Sequence, residues 1–464
     1  VPSKEALRLF APVLAATLMP LNSTMVAVAV PDISSDFGHD PALVTQALVT
    51  SYLVGAVVLQ SPAGKIGDRI GHGRMIVLGQ LFLGAGALLG FMAPALAWLI
   101  LARILMAAGS AALVPSTLAL MRQVLAPERR GRAYGTFGAL MALSAAVGPL
   151  VGGELVRLFG WQSVFAANLP VLVVAVALGS LTGSFTGAAA AGRGAPSRFD
   201  WVGTVLLAAG LTALIVGLRP GAAHELVLLV LGGGLLLLFA LWERRIADPV
   251  IAFSLFRSLH FSAGAVLISV QNLVMYTLIF QVPLLGVALF DLNAEDTGRL
   301  LLSLTLAMMI TSPIAGRLTD HLGPRRIGVA GSLVALLGLA DLALTDLTSS
   351  SQLVIPLALL GVGVGLTTPP AQSASMTAAS TEAAGMAAGI GSTMRYLGGI
   401  IGVAVMSRVL DVHASRTEVI SDHHVLLVFF AGALVVGLGC AALLPARPVH
   451  KDEVLAGRHT SRSV

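Results

Sequence analysis

The chain has 464 residues, of which 56% are hydrophobic and 11% charged, and its mean hydropathy is +0.90. No water-soluble surface can be built from that composition, so a soluble globular domain is excluded. The 28 Lys+Arg and 23 Asp+Glu, formally +5 together, fall in short clusters between apolar stretches of roughly 18–25 residues. This is the pattern of an all-α polytopic membrane protein, and not the short alternating segments of a transmembrane barrel. Its basic excess therefore reads as loop asymmetry, with no nucleic-acid partner implied. The 51 Gly and 22 Pro suit close helix packing and broken helices inside a bilayer. Cys440 stands alone, which removes a disulfide framework and a cysteine metal site.

Apolar runs bounded by charge predict spans over 6–30, 44–63, 75–93, 96–121, 133–156, 163–183, 200–218, 225–242, 262–289, 298–316, 325–346, 352–377, 384–408 and 423–445, about fourteen in all. Spans of about 21 residues leave no loop able to hold a sizeable soluble domain. The first run is longer than a signal-peptide core and lacks a small-residue cleavage site, so it is expected to be retained. With a cytoplasmic N-terminus, 21 of the 28 basic residues fall on the inner side, among them Lys4, Lys65, Arg122, Arg193 and Arg447. That bias predicts that both termini are cytoplasmic and that the number of spans is even.

The strongest internal signal is a duplication. Gly64-Lys65-Ile66-Gly67-Asp68-Arg69-Ile70-Gly71 matches Gly316-Arg317-Leu318-Thr319-Asp320-His321-Leu322-Gly323 at an offset of 252. Glu128, Gly131, Gly135 and Gly148 are echoed by Glu382, Gly385, Gly389 and Gly402, each displaced by 254. Two echoes at nearly one displacement predict two six-span bundles in the same orientation, a parallel repeat. Two copies of six spans need an offset of roughly 200 residues, and the surplus is supplied by the two spans within 200–242. The expected organisation is an N-terminal bundle over 1–183, a linker with two inserted spans over 184–260, a C-terminal bundle over 261–446 and a cytoplasmic tail over 447–464. The inserted pair reads as a lipid-facing spacer.

These residues resemble the major facilitator superfamily, specifically its fourteen-span drug:proton antiporter branch, over nearly the whole chain. The segment Gly64 to Gly71, continued by His72-Gly73-Arg74, is similar to the family's cytoplasmic signature. Gly148-Pro149-Leu150-Val151-Gly152-Gly153 resembles its exporter motif, and Leu21-Asn22-Ser23-Thr24 through Ala29-Val30-Pro31 its first-span motif. Trp161, Phe165, Asn168 and Pro170 resemble the opening of span six, and Met394-Arg395-Tyr396-Leu397-Gly398-Gly399 a motif of the penultimate span. The resemblance implies the major facilitator fold, two six-helix bundles plus two inserted helices. It also implies a gate in which Gly64, Asp68, Arg69, Gly71, Arg74 and Arg132 act with Gly316, Asp320 and Gly323. Asp68 can meet a helix N-terminus or a base such as Arg132 in only one conformation. Gly148, Pro149, Gly152 and Gly153 are expected to bend span five and admit a neighbouring helix.

Two cations fall inside spans. Arg103 matches the family's buried span-four arginine, and Arg395 lies about three turns into its own span; each needs a partner or a polar cavity. Tyr52, Gln271, Asn272 and Gln281 are the other polar groups expected to reach a cavity, with helix–helix hydrogen bonding as the alternative. Where many members of the branch carry Asp, this chain has Asn22, which does not titrate near neutral pH. The remaining carboxylates in spans are Glu154 and Asp341, and no His is read as lying deep. Glu154 is therefore the expected proton carrier, switched by a changing distance to Arg395 or Arg103, with a carboxylate at the outer headgroup level as the bland alternative. Met106-Ala107 stands where the branch has Gln-Gly, so with Met25 and Met106 at hand the cavity suits neutral or anionic amphiphiles.

The expected function is secondary active export of small amphiphilic molecules across a bacterial inner membrane, driven by inward proton flow. The alternative is an exporter or flippase of lipidic cell-envelope molecules with weak or no proton coupling. A membrane enzyme would need a nucleophile–base pair or a metal set, and neither is visible. No nucleotide-binding loop of the Gly-Lys-Ser/Thr type occurs, so ATP is not expected as the driver, and no cofactor is implied. The partners expected are substrate, protons and membrane lipids, with a monomeric chain.

Overall fold

The computed structural model describes residues 4–39, 43–44, 47–48, 51–183, 200–218, 224–246, 249–292, 294–380, 383–411 and 414–446. Among these there are fourteen long helices and no strand. The first bundle is α1 (Lys4–Phe37), α2 (Ser51–Ile70), α3 (His72–Phe91), α4 (Leu96–Val124), α5 (Pro127–Phe159) and α6 (Asn168–Thr182), the last led in by the turn Ser163–Ala166. The hairpin α7 (Trp201–Gly217) and α8 (Glu225–Glu243) follows. The second bundle is α9 (Leu259–Phe290), α10 (Ala294–Leu322), α11 (Pro324–Ala343), α12 (Val354–Ala378), α13 (Ala384–Val409) and α14 (Arg416–Ala442).

Among the described residues, twelve helices are long and apolar enough to cross a membrane. The two that fall short are α2, whose end carries Lys65, Asp68 and Arg69, and the 17-residue α7. Large apolar side chains such as Leu150, Leu181, Leu226 and Val428 stand exposed around the outside, as lipid-facing surface requires.

The helices overrun the apolar stretches that predict them. The span expected over 44–63 is shifted: α2 runs from Ser51 through the whole signature to Ile70 and ends at Gly71, whose φ of 94° only glycine adopts freely. Gly323 does the same after α10, with φ 89°. Charges there were expected to lie in a loop, yet they sit on the last turn of a helix, because nothing in the signature before Gly71 breaks it. Gly64, in turn, is helical. Its role is close approach, since a Cβ there would overlap the carbonyl of Gly385 on α13. Gly316 meets Gly131 on α5 in the same way.

The bundles thus meet along two crossed pairs, α2 with α13 and α10 with α5. Each pair follows from the other by the repeat read from sequence: Gly389 packs on the Gln60 carbonyl and Gly135 on that of Ser312. The hairpin is more than a detached spacer. Leu207, Leu211, Ile215 and Phe239 belong to the apolar core of the first bundle, while the outer face of α8 is bare. Lys65 on α2 donates to the Pro249 carbonyl just beyond α8. Arg408 near the end of α13 pairs with Glu225 at the start of α8. The linker over 184–199 and the tail 447–464, with Lys451, Arg458 and Arg462, lie outside the described residues, as do Arg193, Arg198, Arg219, Arg447 and Glu382; so does the side chain of Lys4.

Gly64→Leu and Gly316→Leu should each force one crossed pair apart, an overpacking cost of about 1–3 kcal/mol. Amide hydrogen exchange in 64–70 or 316–322 should then rise roughly tenfold with helix content unchanged; unaltered exchange would show that the backbones are not in contact.

Candidate functional site: gate and central cavity

At the end of the molecule that carries both signatures, each aspartate reaches across to the opposite bundle. Asp68 accepts hydrogen bonds from the backbone N–H groups of Gly385 (2.7 Å) and Met386 (2.8 Å), at the start of α13. Asp320 accepts from Gly131 (2.8 Å) and Arg132 (2.9 Å), in the first turns of α5. A carboxylate at the first turn of a helix meets unsatisfied N–H donors and the positive end of the helix dipole. Of the two partners expected for Asp68, a helix N-terminus or a base such as Arg132, it meets the N-terminus of α13, while Arg132 lends its backbone N–H to Asp320. His72 Nε2 lies 3.2 Å from Asp68 Oδ1, and Pro324 holds the equivalent place in the second half. Arg69 sits on the last turn of α2, and Arg74 is exposed at the start of α3.

A third contact at this end was not anticipated. Arg122, near the end of α4, is buried and donates to the carbonyls of Met376 and Ala379 at the end of α12. It neutralises a helix C-terminus just as the aspartates neutralise N-termini. Its sequence signal, an Arg in the last turn of an apolar helix, was indistinguishable from a topology marker.

In the first bundle Arg103 is fully buried. Its Nε donates to the Leu48 carbonyl (3.1 Å), its Nη1 to Asn22 Oδ1, and its guanidinium lies 4.0 Å from the centre of the Tyr52 ring. Tyr52 in turn reaches the Met19 carbonyl (3.2 Å) and Ser110 Oγ (3.0 Å). Asn22, Tyr52 and Arg103 thus form one cluster, which ties α1, α2 and α4 together.

The second bundle presents Arg395, half-buried, whose Nη2 is 3.4 Å from Gln372 Oε1. One turn earlier on α12, Thr368 Oγ1, which donates to the Val364 carbonyl (2.8 Å), lies 3.4 Å from Gln271 Oε1. Tyr276 and Tyr396 lie within electrostatic reach of Arg395.

Other candidates are placed elsewhere. Asn272 spends its amide on the Ile268 carbonyl of its own helix (2.7 Å). Gln281 is buried against His423 Nδ1 (3.0 Å). His423 corrects the reading that no His lies deep: α14 starts at Arg416, so His423 is two turns inside and 1% exposed. Met106 packs towards Gly86 on α3, and Met25 has its backbone against Gly152, whose Cβ would come within 2.9 Å of Met25 Cα. In the exporter motif Gly148 and Gly152 admit α1, whereas Gly153 has ordinary room and Pro149 is exposed.

Glu154 is exposed and held by Arg157 one turn on, with Nε–Oε2 at 3.0 Å. Among the described residues neither Arg103 nor Arg395 has a carboxylate within 4.0 Å, so the proposed switch between Glu154 and a central arginine is not the arrangement present. Asp341 is likewise exposed.

The sequence of residues 13–403 matches the model of the Major Facilitator Superfamily. The chain is 31% identical to the multidrug resistance protein Stp of Mycobacterium tuberculosis, the match covering 89% of this chain and 77% of that protein. It is 30% identical to the tetracenomycin C resistance and export protein of Streptomyces glaucescens, over 86% and 76%. The solved structure of the human organic anion transporter MFSD10 superposes with a TM-score of 0.68 at 15% identity, covering 95% of this chain and all of that one, which shows the shared fold. The chain belongs to the Major Facilitator Superfamily: it is a multi-pass membrane transporter and not an enzyme.

Arg103→Leu should leave Asn22 Oδ1 and the Leu48 carbonyl without a donor inside the bundle, a loss on the order of 2–5 kcal/mol. Arg103→Leu is thus expected to melt several degrees below Arg395→Leu, and equal melting points would refute the structural role. Glu154→Gln should leave melting temperature and substrate efflux as in the wild type, since the pair it breaks is solvent-facing.

Proposed function

We propose that the chain is a secondary active exporter of amphiphilic small molecules in a bacterial plasma membrane, working by alternating access between its two bundles. The observation that carries this reading is the pair of crossed latches, Asp68 on α13 and Asp320 on α5. Latches made between two rigid bundles at one end can hold in one conformation and must break in the other, which is what a gate requires. The bias of basic residues makes the latched end cytoplasmic, both termini with it, so the conformer described is closed to the cytoplasm. Relatives named for multidrug resistance and for antibiotic export support the outward direction. A monomer surrounded by lipid accounts for the apolar exterior.

Inward proton flow is the driver we propose. Asn22 cannot carry the proton and Glu154 is tied up at the surface; the buried His423, paired with Gln281, and the buried Glu243 at the end of α8 are protonatable groups to test. A second reading, export of envelope amphiphiles without proton coupling, is favoured by one observation: Asn22 stands beside Arg103 with no carboxylate.

Efflux from proteoliposomes, with and without an imposed pH gradient, separates the two. Gradient-dependent export supports antiport, and gradient-independent export supports the second reading. Asn22→Asp places a titratable group beside Arg103; under the second reading it should create a pH dependence of export that the wild type lacks.

A further inference from the structure

We propose that Arg395 binds the anionic head of the substrate, so that the substrates are amphiphilic carboxylates or sulfonates. This deepens the exporter reading and rests on it. The two span arginines differ in what they can offer. Arg103 is sealed: it is 0% exposed and held by a carbonyl, an amide oxygen and an aromatic face, and its unpaired Nη2 has no opening to a ligand. Arg395 is half-buried, and among the described residues its one hydrogen bond, to Gln372 Oε1, is long at 3.4 Å. A guanidinium carries five N–H donors in a rigid fork, so most of the fork is uncommitted.

The neighbours of Arg395 offer further donors and no negative charge. Gln372 stands one turn from Thr368 on α12, and Thr368 contacts Gln271 on α9, so the four residues form one cluster. The amide nitrogens Nε2 of both Gln271 and Gln372 are buried without an acceptor, as is Ser392 Oγ one turn before Arg395 on α13. The terminal amide torsions are broad and soft, so either NH2 can turn toward an arriving group. Unpaired donors and an uncompensated cation inside a membrane protein are costly. A planar or trigonal oxyanion relieves both costs at once, because it accepts the fork bidentately and the amides besides. A cationic substrate would add to the unpaired charge. The body of such a ligand has an aromatic wall to lie on: the Tyr276 ring packs against Gly399, one turn along α13 from Arg395, and Tyr396 is adjacent in sequence.

The test compares naphthalene probes of matched size on the full chain in lipid nanodiscs, with binding to empty nanodiscs subtracted. The probes are 1-anilinonaphthalene-8-sulfonate, which is anionic, and N-phenyl-1-naphthylamine, which is neutral. The wild type should bind the sulfonate at least about tenfold more tightly, the worth of one charge-assisted contact. Arg395→Gln should weaken sulfonate binding by about tenfold or more and leave the neutral probe within about twofold. Equal wild-type affinities, or a preference that survives Arg395→Gln, would overturn the proposal. Should Arg395→Gln lose both probes through misfolding, Arg395→Lys decides: a reduced preference supports the fork, and an unchanged one refutes it. If the sulfonate preference holds while proteoliposomes export neither probe, the exporter reading fails and the site stands. If the neutral probe is exported and no preference exists, the site fails alone.

Discussion

The arrangement of the whole molecule depends on carboxylates that cross from one bundle to cap a helix of the other. Asp68 and Asp320 each accept two backbone N–H groups near the first turn of the facing helix. Such bonds are strong because the acceptor is charged, and those to Asp68 come from N–H groups that the first turn of α13 leaves unsatisfied; they tolerate little displacement. They form only because Gly64 against Gly385 and Gly316 against Gly131 let the backbones touch. Arg122 adds the opposite sign of the same physics at the end of α12. One end of the molecule is therefore closed by helix termini neutralised from across the interface.

Much of this was legible in the sequence. The offsets of 252 and 254 identified both signatures, and the structure pairs residues that those offsets relate: Gly135 packs on the Ser312 carbonyl, and Gly389, 254 residues on, packs on that of Gln60, 252 residues before Ser312. What could not be read was the crossing itself, since a one-dimensional repeat does not say whether Asp68 serves its own bundle or the other. Facing was equally hidden. Helices that are apolar and glycine-rich on all sides give no direction to a side chain, so Glu154 on α5 could be assigned to the cavity when it stands outside with Arg157. His423 escaped because the apolar run begins seven residues after the helix does, the charged first turns of α14 being capped by Ser415.

The centre of the protein is polar without being acidic. With Asn22 in place of a carboxylate, the first bundle converts its buried arginine into a strut between helices, and the second bundle keeps the cation that remains half open. The hairpin α7–α8 is fastened at both of its ends, to α2 through Lys65 and to α13 through Arg408, and so it spans the two bodies that must move apart. Gate, cavity and hairpin are in this way joined through α2 and α13, and motion of that crossed pair would be felt by all three.

The most direct measurement is electron–electron resonance between spin labels in a Cys440→Ser background, with one pair at Gln123 and Ser380 beside the latches and another at Met92 and Leu344 at the opposite end. Combining Asp68→Ala with Asp320→Ala should lengthen the first distance and shorten the second, as one end opens and the other closes. Two distance distributions unchanged by losing both carboxylates would contradict the account.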